Sequence, residues 1–367
     1  MNYSYFDYSA TTPLDPRVRA ALPDYFDQFH NAGATYGPAL AQRRHLEEAR
    51  GQLAAAINGD PREIVFTSGA TEANNLALKG ALTYHGVKQP RLITLQTEHK
   101  AVLDPAAILA KGGAAVEFLP VQTDGRLDLK LLEETLRAAP TTLVSIMAVN
   151  NETGVLQDLP AIAALAQRHG AKFHVDAAQA LGKMPVDVQS WGADLVSFSS
   201  HKVYGPVGVG ALYVRRLPKM RLQAQMQGGG QERGRRSGTV PVPLIRAFAL
   251  AVQLATAEMP QRLRRVEELN RRLRAQLPAG LGLNVAGHKI PHIENIALRI
   301  GAAEALALAD GAQLALSAGS ACQSGGDGSH VLRAMNLASA SSSLRISLSH
   351  LTSDEELRRL LDFLRQI

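Results

Sequence analysis

The sequence predicts an α/β protein, and three observations carry that prediction. Between about residues 45 and 215, short runs rich in Val, Ile and Leu alternate with segments of helical period, the pattern of strand–helix–strand units on a mainly parallel sheet. Polar or charged residues end those runs, as they do where a sheet presents a ligand site. Beyond about residue 243 the pattern changes to a long helical region followed by more widely spaced strand candidates, which marks a smaller α+β domain.

Taken in order, the first core helix shows Leu46, Ala49, Leu53 and Ile57 on one face. The strands "EIVFTS", "RLITLQ" and "VEFLPV" follow, and after "DGRLD" a helix aligns Leu129, Leu132 and Leu136. "TLVSIMAV", "KFHVDA", "DLVSFS" and "GALYVRR" complete the strand series. One arginine-rich helical region is expected from Pro243 to Leu277, then "ENIALRI", a small helix, "AQLALSAG" and "SSSLRISLS" as further elements. The last helix carries Thr352 and Glu355 at capping-box spacing, with Leu357, Leu360, Leu361 and Leu364 as its apolar stripe. We place the large domain at residues 16–255 and build the small one from 1–15 and 256–367.

A chain of 367 residues is long enough for two domains of about 100 to 200 residues each. With 46% hydrophobic and 20% charged residues it reads as an ordinary globular protein, and no run approaches the roughly 18 apolar residues of a membrane span. The opening "MNYSYFDYSATTPLDP" lacks the features of an export signal, so the expected location is cytoplasmic. The net charge of +6 does not point to nucleic acid, because acids interrupt the basic runs, as in "QRLRRVEELNRRLRAQL". Cys322 is the single cysteine; it excludes an internal disulfide and a multi-cysteine metal site, and on its own is either inert filler or a reactive thiol.

Four strand ends carry chemistry. In "IVFTSGATEANNLAL" a strand turns through Gly69 into a helix opening with Ala70 and Thr71, where free N–H groups and the helix dipole suit a phosphate; such a turn also serves merely as a connection. "TLQTEHKAV" leaves His99 at a strand end, where a surface histidine is the bland alternative. "KFHVDAAQA" ends in Asp176, with Gln179 three residues on, and a buried carboxylate needs a cation or several donors. A structural salt bridge meets the same need. "DLVSFSSHK" ends in Ser199, His201 and Lys202, and a lysine pressed among cationic or apolar groups becomes a nucleophile toward carbonyls. Together a phosphate turn, an aspartate, a histidine and a strand-end lysine match the requirements of pyridoxal phosphate.

The segments "DYSATTPLDPRV", "EIVFTSGATEANNLALKG", "EHKAVL", "VSIMAVNNETGV", "FHVDAAQALGK", "VSFSSHKVYGPVGVGALYVRR", "GGGQERGRRSGT" and "LSAGSACQS" resemble those of the group I cysteine desulfurases, within the class V aminotransferase superfamily. The resemblance spans nearly the whole chain and keeps the family's order. It implies a fold-type I pyridoxal-phosphate fold, with a seven-stranded mainly parallel sheet in the large domain. It implies that Lys202 holds the cofactor as an internal aldimine, that Asp176 pairs with the ring nitrogen, that Gln179 bonds the phenolic oxygen and that His99 stacks on the ring and assists proton transfers. Ala70, Thr71, Ser199 and His201 are then phosphate contacts, with Thr239 reaching across from a second subunit of a homodimer. Asn151 contacts cofactor or substrate, and Arg345 binds the carboxylate of L-cysteine. Cys322, in a Gly- and Ser-rich stretch, becomes the thiol that takes the substrate sulfur as a persulfide and passes it to an acceptor protein for iron–sulfur assembly or thiolation.

The chain departs from the family pattern in places. "HNAGATYGPALAQRRH" is shorter than its counterpart, Ala178 replaces a usual threonine, Ser200 a usual glycine, the cysteine loop is about one residue shorter, and no carboxyl-terminal extension follows the last helix. Competing readings are a selenocysteine lyase or transaminating class V enzyme, and a binding-only paralogue; the set Lys202, Asp176, Gln179 and His99 speaks against the last.

Overall fold

In the computed structural model, which describes residues 3–84, 88–319 and 328–367, the apolar runs become strands and the periodic segments between them helices. Strand β1 (Ser4–Tyr5) and helices α1 (Pro16–Asp27) and α2 (Gly37–Ala56) come first. Then β2 (Ile64–Thr67), α3 (Ala70–Leu82), β3 (Arg91–Leu95), α4 (Lys100–Lys111), β4 (Ala115–Leu119), α5 (Leu129–Ala138), β5 (Leu143–Met147), α6 (Leu159–Arg168) and β6 (Lys172–Asp176) alternate, closed by β7 (Leu195–Ser199) and β8 (Gly210–Val214). After them come α7 (Val242–Ala257), α8 (Met259–Ala275), β9 (Gly282–Leu283), β10 (Ile293–Ala297), α9 (Ala302–Gly311), β11 (Leu314–Ala315), α10 (His330–Ala334), β12 (Ser343–Ser347) and α11 (Asp354–Leu364).

The central sheet has seven strands in the order β2-β8-β7-β6-β5-β3-β4, parallel except for β8, which runs antiparallel to both of its neighbours. Helices on both faces bury β2, β3, β5, β7 and β8 along their full length, which is why these strands read as continuous Val/Ile/Leu runs. The edge strand β4 alternates instead, with Ala115 and Glu117 exposed, so the open edge carries a charge. Crossover connections return each parallel strand to the same end of the sheet. The carboxyl ends of β2, β3, β5, β6 and β7 therefore open toward one region, and the ligand site is expected there.

A second core gathers Phe6, Val266, Leu269, Leu273, Ile296, Leu344, Ile346 and the α11 stripe Leu357, Leu360, Leu361 and Leu364. It covers an antiparallel sheet of order β12-β10-β9, and a parallel β1–β11 pair completes the region. Main-chain pairing ties the β1–β11 pair to β12 through Asp7 with Ser347 and Ser317 with Arg345, and Val155 with Lys289 joins the region to the turn that follows β5.

Three sequence expectations change. The arginine-rich helical region expected from Pro243 to Leu277 is two helices, bent by 69° at Glu258. Pro260 lies in the first turn of α8, where it has no N–H to continue the hydrogen-bond ladder of α7. Only α8 is arginine-rich, and α7 is a core helix. The cap of α11 is Ser353 with Glu356, not Thr352 with Glu355, because the Thr352 hydroxyl already accepts from the Ser349 amide at 3.1 Å. The run "AQLALSAG" shortens to the two-residue β11. Among the described residues no single helix is long and apolar enough to cross a membrane.

Candidate active site

At the carboxyl end of the central sheet lies a cavity of about 370 Å³ whose lining comes from five strand ends and from outside the sheet. Ala70, Thr71, His99, Asn151, Asp176, Gln179, Ser199, His201, Lys202 and Arg345 all face it. Residues spread over 276 positions of chain thus converge on one space. Thr239 does not line this cavity and lies in a separate hollow with Arg43, Arg50 and Glu232. Cys322 lies outside the described residues.

Lys202 ends a single 3-10 turn, Ser200–Lys202, that follows β7. Its Nζ donates to the Ser9 carbonyl and, at 2.6 Å, to the Ala10 carbonyl. These acceptors belong to the amino-terminal segment, which straps across the turn. The Thr12 amide donates to the His201 carbonyl at 3.0 Å, and the Thr12 hydroxyl accepts from the Tyr204 amide at 2.8 Å. The glycines after Lys202 allow this crowding. A Cβ on Gly205 would stand 2.2 Å from Ser200 Oγ, and one on Gly210 would stand 2.6 Å from Gly69 Cα. Gly210 thereby lets β8 run against the turn that opens α3.

That turn supplies one wall. α3 begins at Ala70 with no side-chain cap, so its first N–H groups and the positive end of its dipole point at the cavity, beside Ser199 and His201. Glu72 in the same first turn is engaged elsewhere, by Arg236 Nε at 2.8 Å and the Ser68 amide at 2.7 Å. His201 Nδ1 meets Thr11 Oγ1 at 3.1 Å; burial, with Lys202 and Lys183 adding positive charge, lowers its pKa to about 4, and the ring is neutral.

The opposite wall is acidic. Asp176 accepts from Asn74 Nδ2 at 2.7 Å and from the Ala178 amide at 3.0 Å, donors that stabilise a buried carboxylate. Glu98 lies fully buried behind it, accepting from the Met147 amide at 2.7 Å while Oε2 has no partner among the described residues. Burial, helped by the charge of Asp176, pushes the Glu98 carboxyl well above its ordinary range. His99 caps α4, its Nδ1 accepting from the Ala101 amide at 3.1 Å, which puts any ring proton on Nε2. Burial pulls its pKa down, Asp176 pulls it up and Lys202 pushes it down again, leaving it below the usual value.

Arg345, at the centre of β12, enters from the second core and is 1% exposed. It donates to Asp7 Oδ1 at 2.6 Å and to the Asn151 carbonyl at 3.0 Å, while Nε has no partner among the described residues. The neighbouring Asn150 fixes the turn that presents Asn151: its Oδ1 accepts from the amides of Glu152 and Thr153, each at 2.9 Å.

Sequence reasoning missed Asp7, the Ser9 carbonyl, Asn74, Glu98 and Lys183. Asn74 had a readable signal, an amide on the helix face it shares with Ala77, Leu78 and Ala81, one turn beyond the phosphate-type turn. The others meet their partners only in the folded chain. As a donor set, a primary amine, a hydrogen-bonded carboxylate, an amide, a helix amino terminus with hydroxyls and a buried guanidinium suit a phosphorylated aldehyde ring and a carboxylate-bearing substrate.

The model of the aminotransferase class-V family matches residues 4–360. The chain belongs to this family. It is 44% identical over 376 aligned residues to the cysteine desulfurase IscS of Escherichia coli, covering 99% of this chain and 92% of that protein. A solved NifS-like protein superposes with a TM-score of 0.92 at 32% identity, covering 100% of this chain and 99% of the other. The structure of SspA in complex with cysteine gives a TM-score of 0.85 at 34% identity, covering 95% of this chain and 100% of the other.

Proposed function

We propose that this class V enzyme is a pyridoxal-phosphate-dependent cysteine desulfurase, which converts L-cysteine to L-alanine and leaves the sulfur as a persulfide on its own Cys322. The observation that carries the reading is the convergence, in one cavity, of the strand-end Lys202 with Asp176, Gln179 and Arg345. The relatives named above support the same activity.

Lys202 is the residue that would hold the cofactor covalently, and its Nζ, when free, would take the proton from the substrate Cα. Bound pyridoxal phosphate supplies an electron sink that labilises bonds at that carbon. Asp176 holds the proton on the ring nitrogen, and Gln179 donates to the phenolic oxygen. His99 stacks on the ring and moves protons through Nε2. Ala70, Thr71, Ser199 and His201 bind the phosphate, joined by Thr239 of the second subunit of a homodimer. Arg345 orients the substrate carboxylate beside Asn151. The Cys322 thiolate attacks the substrate sulfur: an S–S bond forms, the C–S bond breaks, and the electron pair left on carbon takes up a proton to give alanine. The persulfide sulfur then passes to an acceptor protein of iron–sulfur assembly or thiolation in the cytoplasm.

Two variants test this. Lys202→Ala is expected to lose the visible absorption band of the holoenzyme and all turnover. Cys322→Ala is expected to keep the band and lose alanine formation from cysteine by ~10³-fold or more, as removal of a nucleophile does. Rapid, acceptor-dependent alanine release by Cys322→Ala overturns the desulfurase reading and favours a lyase that needs no thiol.

A further inference from the structure

The turn that follows Asp176 carries a lysine that no proposed step uses. Residues 177–184 fold through successive turns, with amides of Leu181 and Met184 returning to the carbonyls of Ala177 and Ala180 and Gly182 at φ 74°, and this path brings Lys183 back onto Gln179. Lys183 is 5% exposed, and its Nζ donates to Gln179 Oε1 at 2.5 Å. No carboxylate stands within ion-pair distance of it among the described residues. The ionisable groups around it are Lys202, Arg345, His201 and His292, all basic. Burial first, and then Lys202 and Arg345, bring its pKa down to about 7.

A buried amine without a counter-ion is a costly way to fill space that leucine or methionine fills more cheaply. Its single acceptor shows what it does. A glutamine amide can sit in either of two orientations of equal shape, and only its neighbours choose between them. At Gln179 the neighbours are of opposite kinds. Protonated Lys183 can only donate, and the Ser9 carbonyl, 2.8 Å from Nε2, can only accept. The same Ser9 carbonyl accepts from Lys202 Nζ, so Gln179 Nε2 and Lys202 Nζ converge on one oxygen. Nε2 has a second proton, and Gln179 lines the cavity. The phenolic oxygen of pyridoxal phosphate sits on the ring carbon next to the one bearing the carbonyl that Lys202 captures, which makes it the acceptor this arrangement is built for.

We infer that Lys183 is a positioning residue: by donating to Gln179 Oε1 it locks the amide with Nε2 toward Lys202, keeps a donor on the cofactor's phenolic oxygen, and so lowers the proton affinity of the Lys202–cofactor linkage. The inference rests on the proposed role of Gln179 and adds to it the group that enforces that role. A donor on the anionic form of a phenol favours that form, and losing the donor raises the pH at which the chromophore titrates.

The test is the pH titration of the visible band of the holoenzyme, without substrate, in wild type, Lys183→Met, Gln179→Leu and the double variant. Lys183→Met is expected to raise the midpoint by about one pH unit, a tenfold change in proton affinity. It is also expected to leave the melting temperature equal or higher, since it removes a desolvated charge; a merely structural lysine would lower it. In the Gln179→Leu background, where there is no amide to orient, Lys183→Met is expected to move the midpoint by less than about 0.3 unit, as a double-mutant cycle requires of a residue acting through its partner. Lys183→Leu reads the same quantity if the methionine variant does not load cofactor. A Gln179→Leu midpoint equal to wild type overturns the role of Gln179 itself. A shift in Gln179→Leu with none in Lys183→Met overturns only the part given to Lys183. Equal Lys183→Met shifts in both backgrounds also overturn it, and assign Lys183 a field effect instead.

Discussion

The two walls of the cavity differ in sign, and the contrast explains more than either wall alone. On the β3/β6 side stand Asp176 and His99, with Glu98 buried behind them; on the side reached by β7, β12 and the amino-terminal strap stand Lys202, His201 and Arg345, with Lys183 buried behind Gln179. The acidic wall is stabilised by dedicated donors, Asn74 and the Ala178 amide on Asp176. The basic wall has few carboxylates: Arg345 meets Asp7, while Lys183 and Lys202 rest on neutral oxygens. A polar ring whose nitrogen end is cationic and whose oxygen substituents are anionic fits this field in one direction only. Preorganised charge of this kind is where catalysis gains most, because nothing has to reorient during the reaction.

The largest expected effect comes from removing the charge of the acidic wall. Asp176→Asn keeps the shape and an acceptor for Asn74 but no longer holds a proton on the ring nitrogen, and kcat for alanine formation is expected to fall by ~10³-fold. Wild-type turnover in that variant would show that the acidic wall is structural. The basic wall is sharpened by Arg345→Lys, which keeps the charge and loses the paired N–H groups. Each Arg345 contact is charge-assisted, so kcat/KM for cysteine is expected to drop by ~10 to 100-fold, chiefly through KM. An unchanged KM would place the substrate carboxylate elsewhere.

The two walls were also unequally legible in the sequence. Asp176, His99 and Lys202 could be found because each lies at or a few residues beyond the end of a strand, and open α/β sheets put ligands beyond strand ends. Arg345 could not be reached that way: it sits in the middle of β12, and only likeness to a family pattern brought it in. Its partner Asp7 is 338 residues away, and no periodicity encodes a pairing at that distance. Glu98 precedes a residue that was noticed, yet its burial depends on packing of β5 beside β3. Lys183 reads as one more lysine until the turn stacks it on Gln179. The bend at Pro260 and the shift of the α11 cap to Ser353 were misread for local reasons. A proline in a helical run and two adjacent hydroxyls each allow two solutions, and tertiary contacts choose.

The smallest effect on turnover is expected at Glu98, and its pH dependence separates it from Asp176. The folded-state pKa of Glu98 is raised, by burial and then by Asp176, above the ordinary carboxylate value. Between the two values the folded chain holds a proton that the unfolded chain has lost. Stability contributed by this group is therefore full at acid pH and is lost as pH rises, by up to about 1.4 kcal/mol for each unit of pH within that window. Glu98→Gln keeps the acceptor for the Met147 amide and removes the titration. Turnover at neutral pH is expected to change less than ~3-fold, as for a surface-neutral replacement of an uncharged acid. The melting temperature of Glu98→Gln is expected to match wild type near pH 5 and to exceed it increasingly toward pH 8. A constant difference across that range would mean that Glu98 is ionised, and that the acidic wall carries two charges rather than one.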